Sequence, residues 1–196
     1  MQILIATGNQ GKKKELLEGF GPLPNIEFLS LKDFEPAEEP EEDGLSFQEN
    51  ALIKAKYYAQ KHNIVCLGED SGLILEAFPE KFGLKTRREI QARDDVHWLE
   101  QFLEMLEGRD DRGATFYSSI AWYDPATEKS FVVEGQTEGE ITEFPQAPLE
   151  KGIPVSAVFI PQGLDRVYSA MTKQEKNSLS HRGKAVKQMA EFLKNL

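Results

Sequence analysis

A chain of 196 residues fits one domain spanning 1–196, or one domain with a small lobe, and its net charge of −10 argues against a protein that coats nucleic acid. The single cysteine, Cys66, excludes an internal disulfide framework and fits a reducing compartment. No apolar run approaches the ~18 residues of a membrane span and the N-terminal run is too short for a signal peptide, so a cytoplasmic protein without a membrane partner is expected.

The chain opens on an Ile-rich run, residues 3–6, that stops at Thr7-Gly8-Asn9 and passes at once into a basic, helix-compatible segment. Strand, tight turn and helix is the reading. N–H groups at such a helix start are unpaired and carry partial positive charge, so the turn is able to hold an anion. Lys12 adds a full charge one turn in. An ordinary strand-to-helix connection fits the same residues. The spacing is not that of the common P-loop, which needs a Ser or Thr after its lysine, nor that of the Gly-rich dinucleotide turn.

Residues 26–31 read as a second strand, and 35–44 as an acidic loop punctuated by proline. Ser46-Phe47-Gln48-Glu49 is a capping box that opens a helix through 50–59, so the loop delivers Glu41, Glu42 and Asp43 to a helix entrance. Residues 64–67 read as a buried strand carrying an inert Cys66. Gly68-Glu69-Asp70-Ser71-Gly72 breaks that strand, and 73–78 resume the pattern. A solvated turn is the plain alternative for the two carboxylates. The stretch 79–93 is polar and basic in the middle, with Lys85, Arg87 and Arg88. Asp94-Asp95 then caps an amphipathic helix with Val96, Leu99, Phe102, Leu103 and Leu106 on its apolar face.

Residues 114–123 and 130–135 form a long hairpin through 124–127, which 136–141 continue or follow as another strand. Residues 144–154 are a loop with three prolines, and 155–161 a further strand. Thr172-Lys173-Gln174-Glu175 is a second capping box, and a terminal helix runs from about Ser180. A β-turn-α start and later antiparallel hairpins predict an α/β fold: a mixed, twisted sheet with helices on its faces.

Three segments carry chemistry. Thr7 to Lys12 suits phosphate, and Glu69-Asp70, with Glu42 nearby, suits a hard divalent cation that completes its shell with substrate phosphate and water. Lys176, His181, Arg182 and Lys184 gather basic groups around a helix start, although each alone is compatible with a structural or solvated role. Together the three favour metal-dependent phosphate chemistry on a nucleotide.

The segments Thr7-Gly8-Asn9-x-x-Lys12-x-x-Glu15, Glu69-Asp70-Ser71-Gly72-Leu73 and Glu175-Lys176-Asn177-x-x-Ser180-His181-Arg182-Gly183 occur in this order at suitable distances. They resemble the signature segments of the inosine triphosphate pyrophosphatase family, the non-canonical purine NTP pyrophosphatases. Glu42-Asp43-Gly44-x-x-Phe47-x-Glu49-Asn50-Ala51 resembles that family too, and the match runs essentially end to end. The resemblance implies an elongated central mixed sheet flanked by helices, commonly a homodimer, hydrolysing ITP, dITP or XTP to the monophosphate and pyrophosphate with Mg2+. It assigns Asp70 as general base and metal ligand, with Glu69 and Glu42 as further metal or outer-shell ligands. Thr7, Gly8, Asn9 and Lys12 would hold the triphosphate. Ser71, Arg88, Lys176, His181 and Arg182 would complete the nucleotide site. The rival reading is a nucleotide-binding or regulatory relative without turnover.

Departures cluster at one end of the site. Glu69 stands where the family has the first Asp of Asp-Asp-Ser-Gly, and Lys85-Thr86-Arg87-Arg88 replaces Tyr-Ser-Ala-Arg. Ile153-Pro154-Val155-Ser156-Ala157 replaces the base-binding Phe-Gly-Tyr-Asp-Pro. Ile153 and Ser156 thus occupy the positions of the aromatic and the aspartate that would face the base, and the expected result is altered base selectivity.

Overall fold

The computed structural model describes residues 1–36, 38–84 and 89–196. Among the described residues, strands β1 (Gln2–Ala6), β2 (Glu27–Ser30), β3 (Cys66–Leu75), β4 (Gly113–Asp124), β5 (Lys129–Ile141) and β6 (Phe159–Pro161) form one sheet in the order β2-β1-β3-β4-β5-β6. The β1 pairings with β2 and β3 are parallel, and those from β3 through β6 are antiparallel. The mixed sheet expected from the sequence is therefore present, with helices on both faces.

Alternation along the strands decides which helix covers which face. Ile3, Ile5, Leu67, Ile120 and Trp122 pack with Leu16 and Phe20 of helix α1 (Gln10–Phe20) and with the C-terminal helix. Their neighbours Leu4, Ala6, Cys66 and Ala121 pack on Ala51, Ala55 and Ala59 of helix α2 (Phe47–His62). A third cluster at the far end gathers Leu73, Leu75, Ala114 and Phe159 with Trp98 and Phe102 of helix α3 (Asp95–Glu104). The C-terminal pair α4 (Lys173–Leu179) and α5 (His181–Leu193) follows, capped by Thr172 and Ser180.

Four local expectations are corrected. Gly68 to Gly72 does not break a strand, because β3 runs through Glu69-Asp70-Ser71 to Leu75. The glycines serve close packing instead: a Cβ on Gly68 would lie 2.1 Å from the Ala51 carbonyl of α2, and one on Gly72 would lie 2.2 Å from the Gly83 carbonyl. Only Phe159–Pro161 of the expected 155–161 strand is extended, since Pro154–Ala157 coil into a 3₁₀ turn with proline at its start. Val96 is exposed, and Trp98 joins Leu99 and Phe102 on the buried face of α3. At Ser46 the capping box is half closed: its side chain takes the Glu49 N–H, but the Glu49 carboxylate accepts from Leu45. Residues 136–141 extend β5 itself, and the Thr172–Glu175 capping box forms in full.

Gly68→Ala follows as a test of the packing argument. The obstructing atom is backbone, so no rotamer change relieves it, and a loss of about 1–3 kcal/mol is expected from overpacking alone. A denaturant midpoint equal to the parent's would show that α2 sits less tightly on β3 than described.

Candidate active site

The end of β1, the middle of β3, the starts of α1 and α5, the middle of α2 and Lys176 of α4 meet at one cleft with two chambers. The polar chamber is lined by Thr7, Gly8, Lys12, Glu42, Lys54, Glu69, Asp70 and Ser71. The more apolar one is lined by Trp98, Phe116, Ile153, Val155, Ser156, Lys176, His181 and Arg182. Asn9, Lys12 and Ser71 line both. Thr7, Gly8, Asn9, Lys12, Glu42, Glu69, Asp70, Ser71, Ile153, Ser156, Lys176, His181 and Arg182 are thus gathered in one place. Arg88 lies outside the described residues.

The turn at the end of β1 is built by its own side chains. Thr7 Oγ1 accepts the Asn9 N–H at 3.2 Å, and Asn9 Oδ1 caps α1 by accepting the Lys12 N–H at 3.1 Å. The Gly8, Gln10 and Gly11 amides make no hydrogen bond among the described residues, the condition under which a helix start receives an anion. Asn9 Nδ2 also donates to the Gly152 carbonyl at 3.0 Å, tying this turn to the loop that lines the other chamber.

Because β3 is continuous, the neighbouring carboxylates Glu69 and Asp70 point to opposite faces of the sheet. Glu69 faces α1 and α5. Its Oε1 accepts from Arg182 at 3.1 Å and from Ser118 at 3.0 Å, and its Oε2 lies 3.2 Å from Lys12 Nζ. Burial would raise its pKa, but Lys12, Arg182 and Lys54 hold it far below the ordinary glutamate range. Glu15, partly buried, is kept low in the same way: burial would raise its pKa, but Arg182 and Lys176 hold it down. Arg182 is the hub of this network, paired to Glu15 and Glu69 and donating to Ser71 Oγ at 2.9 Å.

Asp70 faces α2. Lys54 Nζ lies 3.0 Å from its Oδ1, 3.2 Å from Glu42 Oε2 and 3.2 Å from the Glu69 carbonyl. Asp70 Oδ2 is buried and makes no hydrogen bond among the described residues. Burial raises the Asp70 pKa, against the pull of Lys54 and Lys12. Two carboxylates already gather around one positive charge here, with an oxygen to spare. That donor set fits Mg2+, which takes one or two carboxylates and completes its shell with phosphate and water. No group of three His, Cys, Asp or Glu is placed to form an all-protein metal cage among the described residues.

In the second chamber, His181 stacks on Phe116 with ring centres 4.6 Å apart. Burial, reinforced by Arg182, pushes its pKa well below the ordinary histidine value, so the ring is neutral, and its Nδ1 makes no hydrogen bond among the described residues. Lys176 is buried and meets Glu15, Glu150 and Ser156. Phe116 and Trp98 bring aromatic surface to a chamber where Ile153 supplies none.

Sequence reading passed over Lys54, Ser118, Glu150, Phe116 and Trp98, and gave Glu15, a residue of the first signature segment, no role of its own. Lys54 had a usable signal: it stands three residues after Ala51 and four before Tyr58, on the same side of α2 as the buried face. Ser118 and Phe116 had none, because only strand register across β3 and β4 brings them to the site.

The Ham1 family model matches residues 3–192. The dITP/XTP pyrophosphatase of Aquifex aeolicus is 34% identical over an alignment covering 100% of this chain and 98% of the relative. That of Mycobacteroides abscessus is 36% identical, covering 100% and 96%. The structure of a HAM1 protein from Coxiella burnetii matches with a TM-score of 0.84 at 30% identity over 100% of both chains. The Staphylococcus aureus Ham1 protein gives 0.82 at 28% identity, over 100% of this chain and 99% of the other.

Proposed function

We propose that this chain, which belongs to the Ham1 family, is a pyrophosphatase that hydrolyses non-canonical purine nucleoside triphosphates such as ITP, dITP and XTP to the monophosphate and pyrophosphate. The observation that carries this reading is the Asp70 carboxylate. It is buried, its pKa is raised, and one oxygen is unengaged beside Lys54 and Lys12 in a protein of net charge −10. A base poised upward and flanked by cations is what water attack on a phosphate ester anhydride requires.

In this reading the triphosphate lies in the polar chamber on the Thr7 to Lys12 turn, and the base lies in the chamber lined by Ile153, Ser156, Lys176 and His181. Asp70 takes the proton from water as it attacks the α-phosphorus, and pyrophosphate leaves from the other side. Lys12 and Lys54 balance charge on the phosphate oxygens. Glu69, buried on the opposite face of β3, orients Lys12 and Arg182. Asp70 and Glu42 would hold Mg2+, which when bound supplies further charge neutralisation along the phosphates. The same reading carries a homodimer, following the family resemblance, and a cytoplasmic setting, supported by the single cysteine.

The test is a panel of NTPs and dNTPs with Mg2+, reading which phosphate product is released. ITP, dITP and XTP are expected to give the monophosphate and pyrophosphate faster than ATP does. Release of orthophosphate, or no turnover of any 6-keto purine triphosphate, would sink the proposal.

A further inference from the structure

Lys54 stands in the middle of α2, and its ammonium has as many oxygens around it as it has protons to donate. Nζ lies 3.0 Å from Asp70 Oδ1, 3.2 Å from Glu42 Oε2 and 3.2 Å from the Glu69 carbonyl. Lys54 and Glu42 are mostly buried and Asp70 almost wholly so. The base of the lysine is held, because α2 presses on β3: a Cβ on Gly68 would lie 3.1 Å from the Lys54 Cβ. The ammonium, at the end of a four-carbon arm, moves by a change of rotamer without moving the helix.

These contacts set two needs against each other. With its protons given to Asp70, Glu42 and Glu69, Lys54 has none for a phosphate oxygen. The carboxylates it occupies are the pair that fits Mg2+, so the lysine and the metal compete for the same oxygens and repel one another. Asp70 Oδ2 points to the outcome. It is buried without a hydrogen bond among the described residues, an acceptor that the lysine does not satisfy.

We propose that Lys54 is a placeholder for the metal: its ammonium keeps Asp70 and Glu42 neutralised while the cleft is empty, and a triphosphate draws it off onto phosphate oxygens, releasing the carboxylates to the cation. This rests on the metal-dependent phosphate reading of the cleft. Metal and triphosphate then bind cooperatively, each raising the affinity for the other, because both are served by the same movement of one side chain.

The experiment titrates the triphosphate-free protein with Mn2+, a hard cation of the same oxygen preference whose unbound form is counted by EPR, in the parent, Lys54→Gln and Lys54→Arg. Removing the competing charge in Lys54→Gln is expected to tighten Mn2+ binding by about 10- to 100-fold. Lys54→Arg keeps the charge and is expected to stay near the parent. Equal or weaker binding by a folded Lys54→Gln would overturn the placeholder, making Lys54 a plain structural ion pair. The parent supplies an independent measurement: its Lys54 13Cε NMR resonance, assigned through Lys54→Arg, is expected to shift as Mg2+ saturates the site. An unmoved resonance overturns the proposal even if Lys54→Gln does not fold. Nucleotide turnover is judged separately. A parent that releases pyrophosphate from ITP while all three proteins bind Mn2+ alike loses only the placeholder. Tighter Mn2+ binding by Lys54→Gln, beside a parent that hydrolyses no triphosphate, keeps the placeholder and removes the reaction.

Discussion

Asp70→Asn lowers kcat/KM on the best triphosphate substrate by roughly 10²–10⁴-fold, the range for loss of a positioned base, and by more if metal affinity falls with it. The amide keeps the shape and the contact with Lys54 but cannot take a proton. A second readout comes from pH. Burial raises the Asp70 pKa in the metal-free protein, so its carboxyl is expected to titrate above the ordinary aspartate value there, as followed by NMR, and Mg2+ bound at Asp70 would bring that titration down. The variant loses that titration. The sign for stability is opposite: a carboxyl whose folded pKa lies above its unfolded value favours folding at low pH, and that contribution is lost as pH rises. At neutral pH the ionised Asp70 therefore costs stability, and Asp70→Asn is expected to unfold at or above the parent's midpoint. A variant with near-normal turnover removes Asp70 from the reaction. One that is inactive and much less stable would mean that Asp70 supports the fold instead.

Arg182→Ala is expected to be the most destabilising single change in the site, by about 3–5 kcal/mol, because it strands buried charges. Arg182 is buried with Glu69 and Glu15 on either side of its guanidinium, so its removal leaves both carboxylates short of a partner. Lysine does not substitute well, since a single ammonium cannot span Glu15, Glu69 and Ser71. In the parent, both glutamates titrate below their ordinary range, so their contribution is present above the unfolded pKa and is lost only as pH falls through the lower folded values. Without Arg182 burial acts with less opposition and the carboxyls titrate higher. The stability gap between variant and parent, measured by chemical denaturation, should narrow between pH 7 and pH 5. Adding Glu69→Gln to Arg182→Ala should recover part of the loss. A single variant as stable as the parent would show that the network is solvated rather than buried. Arg182, expected from sequence to help complete the nucleotide site, is held here by Glu15, Glu69 and Ser71.

The order of motifs, the tight turn before α1, the α4 and α5 caps and the mixed sheet were legible in the sequence. Each rests on local rules: an apolar run ending in Gly-Asn, a Thr or Ser capping its own helix, and a hairpin signalled by alternating residues around 124–127. Lys54 could have been read from its spacing on α2, whereas Ser118 could not, because only the register of β4 on β3 brings its hydroxyl to Glu69.

What the sequence determined by itself is which chemical groups are present and in what order: a Gly-Asn turn before a basic helix, two adjacent carboxylates, a basic helix start and the loop Ile153 to Ala157. Only the tertiary structure decided how the carboxylates divide their work. From sequence the glycines around Glu69-Asp70 mark a turn, and a turn would let both carboxylates meet one cation. The close approach of α2 at Gly68 and of Gly83 at Gly72 makes them packing residues within a continuous strand. A strand sends neighbours to opposite faces, so Glu69 falls among Lys12 and Arg182 while Asp70 falls beside Lys54 and Glu42. Local residue types cannot specify that division, because it depends on which backbone lies against each glycine.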